Sequence, residues 1–130
     1  MANILLIDDD TVLLKLYSTR LLADNHQVKI ATNGEEGINI LKEFTPHVII
    51  LDLLMPKLNG FKFIESIRQT PRLANIPIII FSSVANQEQI DRLRSLGVQA
   101  ILNKIDVTPT QLVTIINQHL TPSPPANSQA

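Results

Sequence analysis

Five short apolar runs, separated by stretches of helical period, set the pattern of this chain. Asn3–Ile7, Gln27–Ala31, His47–Leu51, Pro77–Phe81 and Gln99–Leu102 have strand length and are rich in Ile, Leu and Val. Between and after them, Thr11–Ala23, Gly34–Glu43, Gly60–Gln69, Gln87–Leu96 and Pro109–Leu120 space their apolar residues for one helix face. Five strand–helix repeats predict an α/β domain, a parallel sheet with helices on both faces. Strands one, three and four are apolar almost without a break, as expected of strands covered on both sides.

The punctuation agrees with these limits. Asp10 or Thr11 is placed to cap the first helix, and Asn33-Gly34 reads as a turn before the second. Thr108-Pro109 is a cap followed by proline at the first helical position, and Gly97 is placed to close the fourth helix in the left-handed conformation. Gly37, inside the second helix, is expected to weaken it by about 1 kcal/mol relative to alanine. After Leu120 the run Thr-Pro-Ser-Pro-Pro-Ala-Asn-Ser-Gln-Ala has no large apolar residue and reads as a disordered tail or linker stub. The expected organisation is one domain over residues 1–120 and a tail over 121–130.

Composition narrows the class. With 45% apolar residues but only four Phe, one Tyr and no Trp, the core must be built from aliphatic side chains. Eleven basic and twelve acidic residues balance, and no Lys/Arg cluster offers a stripe for phosphate backbones, so direct nucleic-acid binding is not expected. Absent cysteines exclude disulfides and thiol chemistry. No apolar stretch approaches the ~20 residues that span a bilayer, and no basic flank marks a leader at the N-terminus. A cytoplasmic protein without membrane association is the plain expectation.

Chemistry collects where the apolar runs stop. Asp8-Asp9-Asp10 follows the first, Asp52 the third, Ser82-Ser83 the fourth and Lys104 the fifth. In open parallel sheets, ligands bind beyond the carboxyl ends of the strands. Carboxylates crowded there repel one another, and a hard cation such as Mg²⁺ relieves this with oxygen ligands. Asp9 and Asp52 are candidate direct ligands, and Asp8 a holder of bound water. Asp52 is the candidate nucleophile toward phosphorus, with Lys104 and Ser82 to stabilise the phosphoryl oxygens. Asp10 is set aside as a cap, and His26, His47 and His119 are read as structural or exposed.

Over residues 3–120 the chain resembles the receiver domains of two-component response regulators. The resemblance rests on Leu51-Asp52-Leu53-Leu54-Met55-Pro56…Gly60, then on Ile7-Asp8-Asp9 and Asn103-Lys104. It implies a flavodoxin-like, doubly wound five-stranded parallel sheet of order 2-1-3-4-5, with five helices in a three-layer sandwich. It also implies Mg²⁺-dependent (or Mn²⁺-dependent) phosphotransfer to Asp52 from a sensor histidine kinase or phosphotransfer protein. Asp8, Asp9, Asp52 and the backbone carbonyl of Leu54 would hold the metal; Ser82 and Lys104 would contact the phosphoryl group. The chain would not turn over a separate substrate. A downstream protein would dock at helix 4, strand 5 and helix 5, where Ile90, Leu93, Val113 and Ile116 are candidate contacts.

The chain departs from the family pattern at three positions, one of them Ser83, which stands where a small residue, usually alanine, is found. Ile105 stands where proline usually follows the lysine, so a trans bond is expected there. Ile101 stands where the family carries an aromatic switch residue. Leu54 and Val84, two beyond the acceptor and the hydroxyl, are apolar and cannot orient a hydrolytic water, which predicts a long-lived phosphorylated state. Two alternatives compete: a receiver-like interaction module with atypical or no phosphorylation, and a haloacid-dehalogenase-like phosphatase with Asp8 as nucleophile and Asp10 as acid/base.

Overall fold

The chain's structure, a computed structural model, describes residues 2–53, 59–83 and 86–120. Ten elements alternate along it: β1 Asn3–Ile7, α1 Thr11–Ala23, β2 Gln27–Ala31, α2 Gly34–Leu41, β3 Val48–Leu51, α3 Gly60–Gln69, β4 Ile78–Ser82, α4 Gln87–Ser95, β5 Ala100–Asn103 and α5 Pro109–Leu120. The strands form one parallel sheet in the order β2-β1-β3-β4-β5. The predicted architecture and strand order are those observed. The proposed tail, residues 121–130, lies outside the described residues.

Side-chain alternation explains why the central strands look uniformly apolar. Leu5, Ile7, Ile49, Leu51, Ile78 and Ile80 point to one face, where Leu41, Phe63, Ile64, Ile67 and Leu93 of α2, α3 and α4 cover them. Ile4, Leu6, Val48, Ile50, Ile79 and Phe81 point to the other, against Leu14, Tyr17, Leu21, Leu112 and Ile116 of α1 and α5. Both faces of β1, β3 and β4 are therefore dry, and a period of two is invisible in their sequence. β2 and β5 are edges; Gln27, Lys29 and Ile30 of β2 are exposed.

Boundaries moved little, each for a local reason. α2 stops at Leu41, two residues short of the predicted end, because Lys42 and Glu43 turn their N–H groups back three residues to Asn39 and Ile40. β4 extends to Ser82 because that residue still pairs with Asn103 of β5. Asp10 caps α1, its carboxylate accepting from the N–H groups of Val12 and Leu13, both at 3.1 Å. Gly97 has φ +75°, as its predicted role requires. His26 and His47 are structural: their Nδ1 atoms accept the N–H groups of Ala2 (3.2 Å) and Asn3 (2.8 Å) at the entry to β1.

Two glycines are needed for close approach. A Cβ on Gly37 would lie 2.8 Å from Ile7 Cδ1 and 3.0 Å from Phe63 Cε1, so the helix-weakening glycine lets α2 sit down on the sheet. A Cβ on Gly60 would lie 2.9 Å from Leu53 Cα and 3.2 Å from the Asp52 carbonyl. Here the obstacle is backbone, which cannot rotate away. Gly60→Ala should cost about 1–3 kcal/mol by urea unfolding, because α3 must retreat from the end of β3.

Candidate functional site

Register assembles the site before any side chain is considered. Ile7 of β1 pairs with Leu51 of β3, so the next residues, Asp8 and Asp52, leave adjacent strands side by side. Their backbones continue the ladders: Asp8 N–H donates to the Ala31 carbonyl at 3.1 Å, and Asp52 N–H to that of Ile7 at 3.0 Å. Ser82 pairs with Asn103, which places the hydroxyl beside the residue preceding Lys104. Strand order and register thus bring four polar stations to one end of the sheet.

The geometry is tight. Asp8 and Asp52 are each only 6% exposed, whereas Asp9 is exposed. One carboxylate oxygen from each of Asp8, Asp9 and Asp52 lies within 4.8 Å of the others, an all-oxygen donor set suited to a hard divalent cation. The Lys104 ammonium donates to Asp8 Oδ2 at 2.6 Å and to Asp52 Oδ2 at 3.1 Å. Asp8 Oδ1 accepts from the N–H of Asp10 at 2.9 Å. The Ser82 hydroxyl is buried without a hydrogen-bond partner among the described residues.

Electrostatics follow from burial and pairing. Desolvation pushes the Asp8 carboxyl up, outweighing the hydrogen bond from Lys104, and the nearby Asp52 charge adds to the rise. Burial alone would lower Lys104. Its hydrogen bond to Asp8 and the charges of Asp52 and Asp8 outweigh that, so the ammonium is raised and stays charged. Beneath the acids, Tyr17 and Phe81 meet edge to face with centroids 5.7 Å apart, and Lys104 Nζ stands 5.8 Å from the Phe81 ring centre. This aromatic floor was not read from the sequence, where Tyr17 was simply one more position on a helix face.

Asp8, Asp9, Asp52, Ser82 and Lys104 all lie where the sequence reading put them. Leu54, proposed to offer its carbonyl, and Val84 lie outside the described residues. Asp10 spends its carboxylate on the α1 cap, which leaves the phosphatase alternative without its acid/base partner. Of the proposed docking contacts, Leu93 and Ile116 are fully buried core residues, while Ile90 and Val113 are half-buried. No peptide bond among the described residues is cis, as expected with Ile105 in place of proline. Ile101 packs half-buried against the core on the α2–α4 side.

This arrangement matches known proteins. Residues 4–117 fit the model of the response regulator receiver domain, and the chain belongs to that family. A CpxR homologue of Haemophilus influenzae, a transcriptional regulatory protein, is 37% identical over 100 residues, covering 77% of this chain and 41% of its own length. The chain spans about half or less of the first curated relatives that it matches. Among solved structures, chemotaxis protein CheY4 of Vibrio cholerae superposes with a TM-score of 0.83 at 24% identity, covering 91% of this chain and 98% of CheY4. The Mn²⁺-bound form of response regulator Rcp1 gives 0.82 at 25% identity, covering 97% of this chain and all of Rcp1. No described helix is long and apolar enough to cross a membrane.

Ser82 offers a test in the resting protein. A buried hydroxyl without a partner forfeits about 1–3 kcal/mol of solvation. Ser82→Ala should therefore leave the melting temperature of the metal-free protein unchanged or raise it; a clear fall would show that the hydroxyl is satisfied in solution.

Proposed function

We propose that this receiver domain accepts a phosphoryl group on Asp52 from the phosphohistidine of a sensor kinase or phosphotransfer protein. In that step the P–N bond breaks as an Asp52 oxygen bonds to phosphorus. The leaving imidazole keeps the electron pair of that bond. The observation that carries this reading is the Lys104 ammonium held between Asp8 and Asp52, at the same end of the sheet as the buried Ser82 hydroxyl, which has no partner among the described residues.

The residues divide the work by chemistry. Asp8, Asp9 and Asp52 would hold Mg²⁺ or Mn²⁺, with the Leu54 carbonyl a proposed further ligand; when bound, the cation supplies charge neutralisation at the phosphoryl oxygens. Lys104 brings a positive charge that burial keeps close, and Ser82 has a free O–H to donate to a phosphoryl oxygen. Such a site modifies itself and does not turn over a separate substrate. Val12 (75% exposed) lies in the first turn of α1, Leu16 follows one turn later, and Ile105 (80% exposed) follows Lys104. These apolar side chains suit contact with the donor protein. Downstream, a partner would read the surface of α4, β5 and α5, which phosphorylation biases between two states. Cytoplasmic placement, and residues 121–130 as a tail or linker stub beyond the domain, belong to the same reading.

Acetyl phosphate with Mg²⁺ should label Asp52, and labelling should vanish in Asp52→Asn and on chelation. Label that persists in Asp52→Asn would refute the assignment, and no labelling at all would favour the phosphorylation-independent module. Ser82→Ala should weaken a beryllofluoride mimic by roughly ten- to a hundredfold, the worth of a hydrogen bond to a charged group. The lifetime expectation is checked with Leu54→Asn combined with Val84→Glu, which should speed loss of the label; an unchanged decay rate argues against it.

A further inference from the structure

Lys104 faces a problem of reach. Its strand, β5, is separated from β3 by β4, and from β1 by both. Neighbouring strands lie about 4.8 Å apart, so the line of Asp8 is about 14 Å from that of Lys104. A four-carbon stem does not cover that distance from a backbone that runs straight on. The chain must fold inward over the end of β4 immediately after β5, and something must hold it there.

Ile105 and Asp106, the two residues directly beyond Lys104, do not anchor the fold; Val107 is the first after the lysine to pack against the core. Ile105 is 80% exposed and Asp106 is exposed, so neither packs the loop down. Ile105 also lacks the ring that would fix its own backbone. What holds the turn is its N–H groups. Lys104 N–H donates to the Ser82 carbonyl at 3.0 Å, and Asp106 N–H donates to the Asn103 carbonyl at 3.0 Å. Between them, Ile105 N–H donates to the Asn103 side-chain oxygen at 2.9 Å. This is an Asx-turn, in which a side-chain amide stands in for backbone and sets the direction of the chain two residues on. Asn103 is itself exposed, so packing does not explain the residue.

We infer that Asn103 is a positioning residue, whose side chain bends the β5–α5 turn over β4 and thereby delivers the Lys104 ammonium to Asp8 and Asp52. The inference rests on Asp52 as phosphoacceptor for its kinetic consequence, but not for its geometric one. Asn103→Leu keeps the size and loses the acceptor; Asn103→Asp keeps the acceptor oxygen.

The test measures the acetyl phosphate labelling rate with Mg²⁺ present, together with the NMR shifts of the Lys104 ε-methylene, which the Phe81 ring displaces. Asn103→Leu should label roughly tenfold more slowly, the scale of a misplaced catalytic group, and should move the methylene signals toward those of a free lysine. Asn103→Asp should restore both. In a Lys104→Met background, Asn103→Leu should add no further loss, because its effect passes through the lysine. Unchanged rate and unchanged methylene shifts in Asn103→Leu overturn the inference, as does an equal loss in the Lys104→Met background. If the unaltered protein takes no label while Asn103→Leu still moves the methylene signals, the phosphoacceptor reading falls and the positioning role stands. If the unaltered protein takes no label and Asn103→Leu leaves the methylene signals in place, both fall.

Discussion

Three carboxylates at the ends of two neighbouring strands cannot sit together without a counter-charge, and the ammonium of Lys104 meets that requirement across 52 and 96 residues of sequence. The pair it bridges is nearly dry, so each ion has lost most of its water. Breaking one side of such an arrangement costs more than the pair is worth, because the remaining charge is stranded. The strand order makes the bridge possible, the tight turn after β5 makes it reachable, and the acids make it necessary. A divalent cation would compete for the same oxygens, so metal and lysine must share Asp8 and Asp52.

Most of the fold was legible because the central strands obey a strong rule. β1, β3 and β4 are covered on both faces, so uninterrupted Ile and Leu runs marked them directly. The polar stations of the candidate site were legible for a related reason: a charged residue directly after such a run has one place to go, the end of the sheet. What the residues did not supply by themselves was the strand order, which depends on contacts between segments far apart and entered by family resemblance. Gly37 was read as a weakness in a helix, and its use appeared only with Ile7 and Phe63 in place against it. Ile90, Leu93, Val113 and Ile116 were expected to divide between docking surface and core. Which went where was not legible, because apolar periodicity finds a helix face without saying whether the sheet or a partner lies opposite it. Leu93 and Ile116 are the two in the core.

Helix α4 is tied to the rest of its layer by two arginines. Arg68 of α3 donates to the carbonyls of Leu96 and Gly97 just beyond α4, and to those of Ala74 and Ile76 in the segment leading to β4. Arg92 of α4 lies 4.3 Å over the Phe61 ring centre and 3.4 Å from Glu65, both on α3. The first tie is half-buried and satisfies four backbone acceptors. The second is exposed, and surface pairs of this kind hold weakly. Both ties act at the carboxyl end of α4, and Ile101, aliphatic, packs against the same core.

The bridging cation is contributed by β5, the last in sequence of the five described strands. Until β5 has been made and has zipped onto β4, the nascent polypeptide holds its acidic residues without the ammonium that lets them sit together. The cluster of acids and ammonium is thus completed by the same strand that completes the sheet.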